Sequence, residues 1–142
     1  GQIVLSGLNP DIEKIINDLK SKNIKNIKLP VSAPFHCELM SKATFHMKDK
    51  ILNAKFKKPK NIIISNVTGS ETQEVDEIKK LLIQQIESPV RWRESVVYMI
   101  KNGVTNFIEI GPGKVLSGLI KRIDKTVKIN TINKFEDLNE IA

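Results

Sequence analysis

Three places in this sequence carry groups that can do chemistry. The first is Pro34-Phe35-His36-Cys37, an imidazole in an irregular, proline-bounded stretch just ahead of a helical pattern. An imidazole changes charge near neutral pH and can move a proton from such a position, although a structural or surface histidine has the same local sequence. Cys37 makes no productive pair with it, because adjacent side chains rarely face each other. It reads as an inert, buried thiol. Two histidines ten positions apart, His36 and His46, and one cysteine match no ligand spacing, so no metal site is expected.

The second place is Gln85. Counting from Ile78, it falls at i+7 on the face that Ile78, Leu81 and Leu82 define, so an amide stands where an apolar residue belongs. A buried amide needs partners. In the last turn of a helix its backbone carbonyl has no intrahelical donor, and the helix end is partially negative. Such a carbonyl can accept Nδ1–H of a histidine and fix its tautomer, the task an aspartate performs in other triads. A partly exposed amide at a helix end is the plainer reading. The third place is Gly111-Pro112-Gly113-Lys114, a strand-to-helix turn that can present amides to an anion. It has neither the Walker nor the dinucleotide pattern of glycines, and a tight connection without a ligand fits as well.

These groups are carried by a chain of 142 residues, enough for one domain or one domain and part of another. A hydrophobic fraction of 40% and a charged fraction of 27% exclude a disordered or fibrous chain. No apolar run is long enough to span a bilayer, and no membrane partner is expected. A single cysteine excludes a disulfide framework, and a cytoplasmic setting is expected. The net charge of +7 suits a nucleic acid, a phosphorylated cofactor or an acidic carrier protein. With 5% aromatic residues and none interleaved with the basic ones, nucleic acid is not expected as a partner.

The elements that must position the three groups follow from periodicity. Residues 2–6 read as a strand. Asn9 reads as N-cap and Pro10 as first residue of a helix bearing Ile12, Ile15, Ile16 and Leu19. Residues 23–31 read as a returning strand, completing a strand–helix–strand unit. A helix is expected over 38–53, a short buried strand over 61–66 and a turn at Thr68-Gly69-Ser70. The next helix spans 75–87, followed by one capped by Ser88, started by Pro89 and stopped at Asn102-Gly103. Strands over 104–110 and 127–132 flank a helix bearing Leu116, Leu119, Ile120 and Ile123, and a short helix covers 135–141. This order suits a parallel sheet covered by helices, an α/β fold. The lysine-rich run 55–60 reads as a solvated loop.

Three stretches together resemble one family. Residues 29–40, Leu-Pro-Val-Ser-Ala-Pro-Phe-His-Cys-Glu-Leu-Met, resemble the histidine segment of malonyl-CoA:acyl carrier protein transacylases. Residues 85–92, Gln-Ile-Glu-Ser-Pro-Val-Arg-Trp, resemble their Gln…Pro-Val-x-Trp segment, and residues 109–119 their Gly-Pro-Gly segment; the opening Gly-Gln-Ile-Val also matches. The resemblance covers the whole chain in order. It implies an α/β-hydrolase-like acyltransferase domain with an inserted ferredoxin-like subdomain. It also implies malonyl transfer from coenzyme A to the thiol of acyl carrier protein through an acyl-serine, with no cofactor beyond these substrates. By this resemblance His36 is the catalytic histidine, Gln85 supplies the carbonyl that orients it, and Phe35 touches the acyl group and favours malonyl over methylmalonyl.

The sequence also departs from the family. It holds no Gly-His-Ser-x-Gly nucleophile elbow. Nor does it hold the glutamine segment of the oxyanion hole, the malonyl-binding arginine, or the Asn-Ser-Pro before the Gly-Gln. All four lie upstream in the family. The chain is therefore expected to be the C-terminal half of the enzyme, in need of the missing N-terminal half and inactive alone. Residues 1–31 would be the second half of the small subdomain and 32–142 the closing part of the large domain. A non-catalytic binding or scaffold remnant of the fold, a polyketide-synthase acyltransferase domain and a nucleic-acid-binding domain are the alternatives.

Overall fold

The computed structural model describes residues 2–140, which fall into two compact units. One contains residues 2–67 and 71–90, the other 68–70 and the described residues from 91 onward.

In the first unit, helix α1 (Asn9–Ser21) begins one residue before the expected position. Its cap is Leu8, whose carbonyl accepts Asp11 N–H and Ile12 N–H, both at 3.0 Å; Asn9 is already helical and Pro10 lies within the first turn. Ile12, Ile16 and Leu19 are half-buried. The far end closes with two reversed bonds, Ile24 N–H to Leu19 O (2.8 Å) and Asn23 N–H to Lys20 O (3.0 Å), around a left-handed Asn23 (φ 55°). Asn23 thus finishes the helix instead of opening a strand. Neither the strand expected over 2–6 nor that over 23–31 forms. A strand exists only by ladder pairing, and the ladders among the described residues join Ile63–Ile64 to Glu71–Thr72 and Asn106–Ile110 to Lys128–Ile132. Ile3, Val4, Ile24 and Ile27 are all at least half exposed. Lys28 instead forms a 2.6 Å ion pair with Glu13 of α1, and that bond and charge hold the Glu13 carboxyl below its ordinary range. The ferredoxin-like half and the 1–31/32–142 division thus rest on resemblance alone.

A 3₁₀ turn (Glu38–Met40) leads into α2 (Ser41–Asn53), so the single helix expected over 38–53 begins with a tighter turn. α2 packs against α3 (Val75–Gln84), whose Ile78 and Leu81 are buried. Lys79 of α3 donates to Leu52 O at 2.6 Å and stands 5.3 Å from the centre of the Phe56 ring. The strand expected over 61–66 is only β1 (Ile63–Ile64), antiparallel to β2 (Glu71–Thr72). With two residues of partner it cannot extend, and Ile62 and Ile63 are 58% and 40% exposed, not buried. The lysines of the 55–60 run are solvated as expected, Lys58 pairing with Glu74 at 2.8 Å.

The second unit runs α4 (Trp92–Lys101), β3 (Asn106–Ile110), α5 (Val115–Ile123), β4 (Lys128–Ile132) and a 3₁₀ segment (Phe135–Glu140). β3 and β4 are parallel, with Phe107 opposite Ile129, and α5 is the crossover between them. Over this unit the alternation is as expected, but the parallel sheet holds only β3 and β4, because β1, expected to belong to it, pairs antiparallel with β2 in a sheet of its own. Val96, fully buried, packs with Phe107 and Ile120, and Trp92, Met99, Ile123 and Ile129 surround them. α4 starts later than expected: its cap is Arg91, not Ser88, and Ser88 N–H instead closes the turn after α3. It ends as expected at Asn102-Gly103, with Val104 N–H reversed onto Met99 O (3.0 Å). Gly69 has φ +70°, and a Cβ there would lie 3.0 Å from Glu94 Cβ, so both conformation and space require glycine. The last helix is 3₁₀ and its Phe135 is 82% exposed; of the residues expected in it, Ile141 lies outside those described.

Candidate active site

His36 and Gln85, 49 residues apart, are brought into contact within the first unit. Nδ1 of His36 lies 2.9 Å from the backbone oxygen of Gln85. A carbonyl oxygen only accepts, so Nδ1 carries the hydrogen, and in the neutral ring Nε2 keeps its lone pair. The ring is exposed and can be approached from solvent. It is aimed by backbone as well as by this bond, because His36 has φ +62°, in the left-handed region. A side chain there costs about 1–3 kcal/mol, which the surroundings must offset. They do so with a short turn. Phe35 N–H donates to Ala33 O (3.0 Å), and the Cys37 thiol reaches back over His36 to Pro34 O (3.1 Å). Cys37 is half-buried and bonded within its turn, while its own carbonyl accepts Met40 N–H (2.9 Å) at the start of the 3₁₀ turn.

Gln85 stands just past the end of α3 as its C-cap, not within a helix reaching residue 87. Its N–H still donates to Leu81 O (2.9 Å), so its carbonyl continues the line of α3 carbonyls toward His36. The side chain of Gln85 is half-buried, and its Oε1 accepts a long 3.5 Å bond from Asn66 Nδ2. Both amides line a cavity of about 220 Å³ whose apolar wall includes Ile63, Ile78, Leu81 and Leu82. Asn66 was not singled out from the sequence, and the only signal for it was a polar pair, Ser65-Asn66, closing a β-branched run. Phe35 sits beside His36 in the chain, but its ring is 47% exposed and outside the cavity lining.

The third candidate is not an anion cradle. The Glu109 carboxylate, at the end of β3, accepts Leu116 N–H (3.1 Å) and Ser117 N–H (2.7 Å), the amides an anion would use. The Ser117 hydroxyl beside it, without a well-formed bond, and then these amides hold the Glu109 carboxyl below its ordinary range. Gly113 N–H goes to Asn133 Oδ1 at 2.6 Å. Gly111-Pro112-Gly113 is a connection fastened from both sides. Lys114, Lys121, Arg122 and Lys125 are all exposed. Among the described residues no group of three or more His, Cys, Asp or Glu side chains could hold a metal ion. No helix there is long and apolar enough to cross a membrane.

No protein-family model matches the chain. Individual relatives do. The malonyl CoA-acyl carrier protein transacylase of Bacillus subtilis is 42% identical over 139 residues, which are 97% of this chain and 44% of the relative. That of Staphylococcus aureus is 38% identical over the same share of this chain and 45% of its own. Among solved structures, an acyl-carrier-protein S-malonyltransferase from Burkholderia pseudomallei superposes with a TM-score of 0.89 at 37% identity. The match covers 95% of this chain and 44% of that one. A malonyl-transacylase solved in complex with a type II polyketide acyl-carrier protein gives 0.87 at 33% identity, over 94% and 43%. Over almost its whole length, then, this α/β chain is similar to malonyl CoA-acyl carrier protein transacylases, matching a C-terminal part that is less than half their length.

Proposed function

We propose that this chain supplies the proton-carrying half of a malonyl-CoA:acyl carrier protein transacylase of fatty acid synthesis. The observation that carries the reading is the 2.9 Å bond between His36 Nδ1 and Gln85 O, in a chain similar to transacylases over 97% of its length. With Nδ1–H tied to the carbonyl, Nε2 is the base. It takes the proton from a serine hydroxyl as the oxygen attacks the malonyl thioester carbon. When the C–S bond breaks, Nε2 returns that proton to the coenzyme A sulfur. In the second half-reaction it takes the proton of the carrier's thiol as that sulfur attacks the acyl-serine, then restores it to the serine oxygen. The Gln85 carbonyl holds the tautomer throughout and stabilises the imidazolium. No cofactor is needed beyond the two thiol carriers.

The nucleophile must come from sequence other than these 142 residues, which hold no Gly-His-Ser-x-Gly. Phe35, next to His36, is assigned the contact with the acyl α-carbon on the family resemblance. The exposed Lys114, Lys121 and Lys125, in a chain of net charge +7, suit an acidic carrier protein. In the test, the purified chain is given malonyl-CoA and acyl carrier protein, alone and with the N-terminal segment of the Bacillus subtilis relative. Transfer is expected only with the segment, and His36→Ala should abolish it. Transfer by the chain alone, or undiminished transfer by His36→Ala, refutes the reading.

A further inference from the structure

The oxygen that holds His36 stands at the end of the backbone bonds that close α3. Leu81 O accepts Gln85 N–H (2.9 Å), Ile83 O accepts Ile86 N–H (3.3 Å), and Gln84 O accepts both Glu87 N–H (3.2 Å) and Ser88 N–H (3.0 Å). Gln85 O comes next. Its donor three residues on is Ser88, whose N–H is already on Gln84 O; its donor four residues on is Pro89, which has no N–H. The bond from Ser88 N–H to Gln84 O (3.0 Å) shows that the chain keeps helical i→i+4 geometry through residue 87, so one more residue of the same course would deliver an amide at position 89 to that oxygen. We infer that Pro89 is a positioning residue. By withholding the one hydrogen that would close another turn, it reserves Gln85 O for His36 Nδ1–H. The value of this to catalysis rests on the proposed role of His36; the competition for the oxygen does not.

The test reads the bond itself, so it stays separate from activity. The full chain has two histidines, and His46→Gln leaves His36 alone in a ¹⁵N-histidine NMR spectrum. Pro89→Ala supplies the missing hydrogen. Its expected effect is loss of the hydrogen-bonded Nδ1–H signature, with exchange against water at least tenfold faster. Replacing Pro89 by lactic acid, whose ester link also lacks N–H, is expected to keep the wild-type signature. An unchanged His36 signal in folded Pro89→Ala overturns the inference. So does loss of the signal in the lactate variant, which would place the effect in the rigid ring and not in the absent donor. Should Pro89→Ala not fold, Pro89→Ser supplies the same hydrogen and is read in its place, against the same lactate variant.

Discussion

If the carbonyl of Gln85 does the work, its side chain should be nearly dispensable, and this separates the proposed arrangement from a conventional side-chain triad. Gln85→Ala keeps the backbone oxygen and removes only the amide. The structure sets the size of the effect. The lost bond is the 3.5 Å contact from Asn66, at the long limit for a hydrogen bond and worth about 0.5 kcal/mol at most. That is about a twofold change in rate. Gln85 lies beyond the last helical residue, so no interior helical position is disturbed. His36→Ala, by contrast, removes the base itself and should cost about 10²- to 10⁴-fold. The assay is malonyl transfer to acyl carrier protein by the chain complemented with the N-terminal segment, at saturating and limiting malonyl-CoA. Asn66→Ala should match Gln85→Ala, and the double variant should be no worse than either, because both remove one bond. If Gln85→Ala falls to the level of His36→Ala, the side chain and not the carbonyl holds the imidazole, and the reasoning fails.

Three other outcomes follow from the same contacts. Val96→Ala removes two methyl groups from a fully buried position, and should lower unfolding stability by about 2–3 kcal/mol in urea titrations once the cavity is included. Glu109 has its folded-state pKa lowered, so its contribution to stability is complete above the ordinary carboxylate range and is lost as pH falls through the lowered value. Acid titrations of Glu109→Gln should lack that component, and an identical pH dependence would refute the capping role. Phe35→Ser should raise the methylmalonyl-to-malonyl ratio in competition assays with the complemented chain. About 1–3 kcal/mol is available for a methyl group, and an unchanged ratio removes Phe35 from selectivity.

Each half of the contact between His36 and Gln85 has a local signal in the sequence, whereas the pairing of the two came from the family resemblance. A helical face running Ile78, Leu81, Leu82 puts Gln85 at the helix end, and a proline-bounded stretch leaves His36 outside regular structure. What the sequence hid was non-local. Residues 2–6 and 23–31 have strand-like composition, but strands need ladder pairing, which among the described residues joins other segments. Asn23 looked like a strand start, although a polar residue after Lys22 is also suited to a left-handed helix end. The Gly111-Pro112-Gly113-Lys114 turn looked open to an anion. The carboxylate that closes it, Glu109, reaches amides seven and eight residues ahead, beyond any local capping rule. Pro89 was read forward, as the start of the next helix. Its larger effect runs backward, onto the carbonyl four residues before it.

Since the imidazole's direction is written into a left-handed backbone and not only into its rotamer, tolerance at position 36 should be graded by backbone preference. Glycine and asparagine would relieve the strain, whereas valine or isoleucine would distort the turn. Survey libraries that score folding alone should therefore enrich replacements that discard the acid–base group.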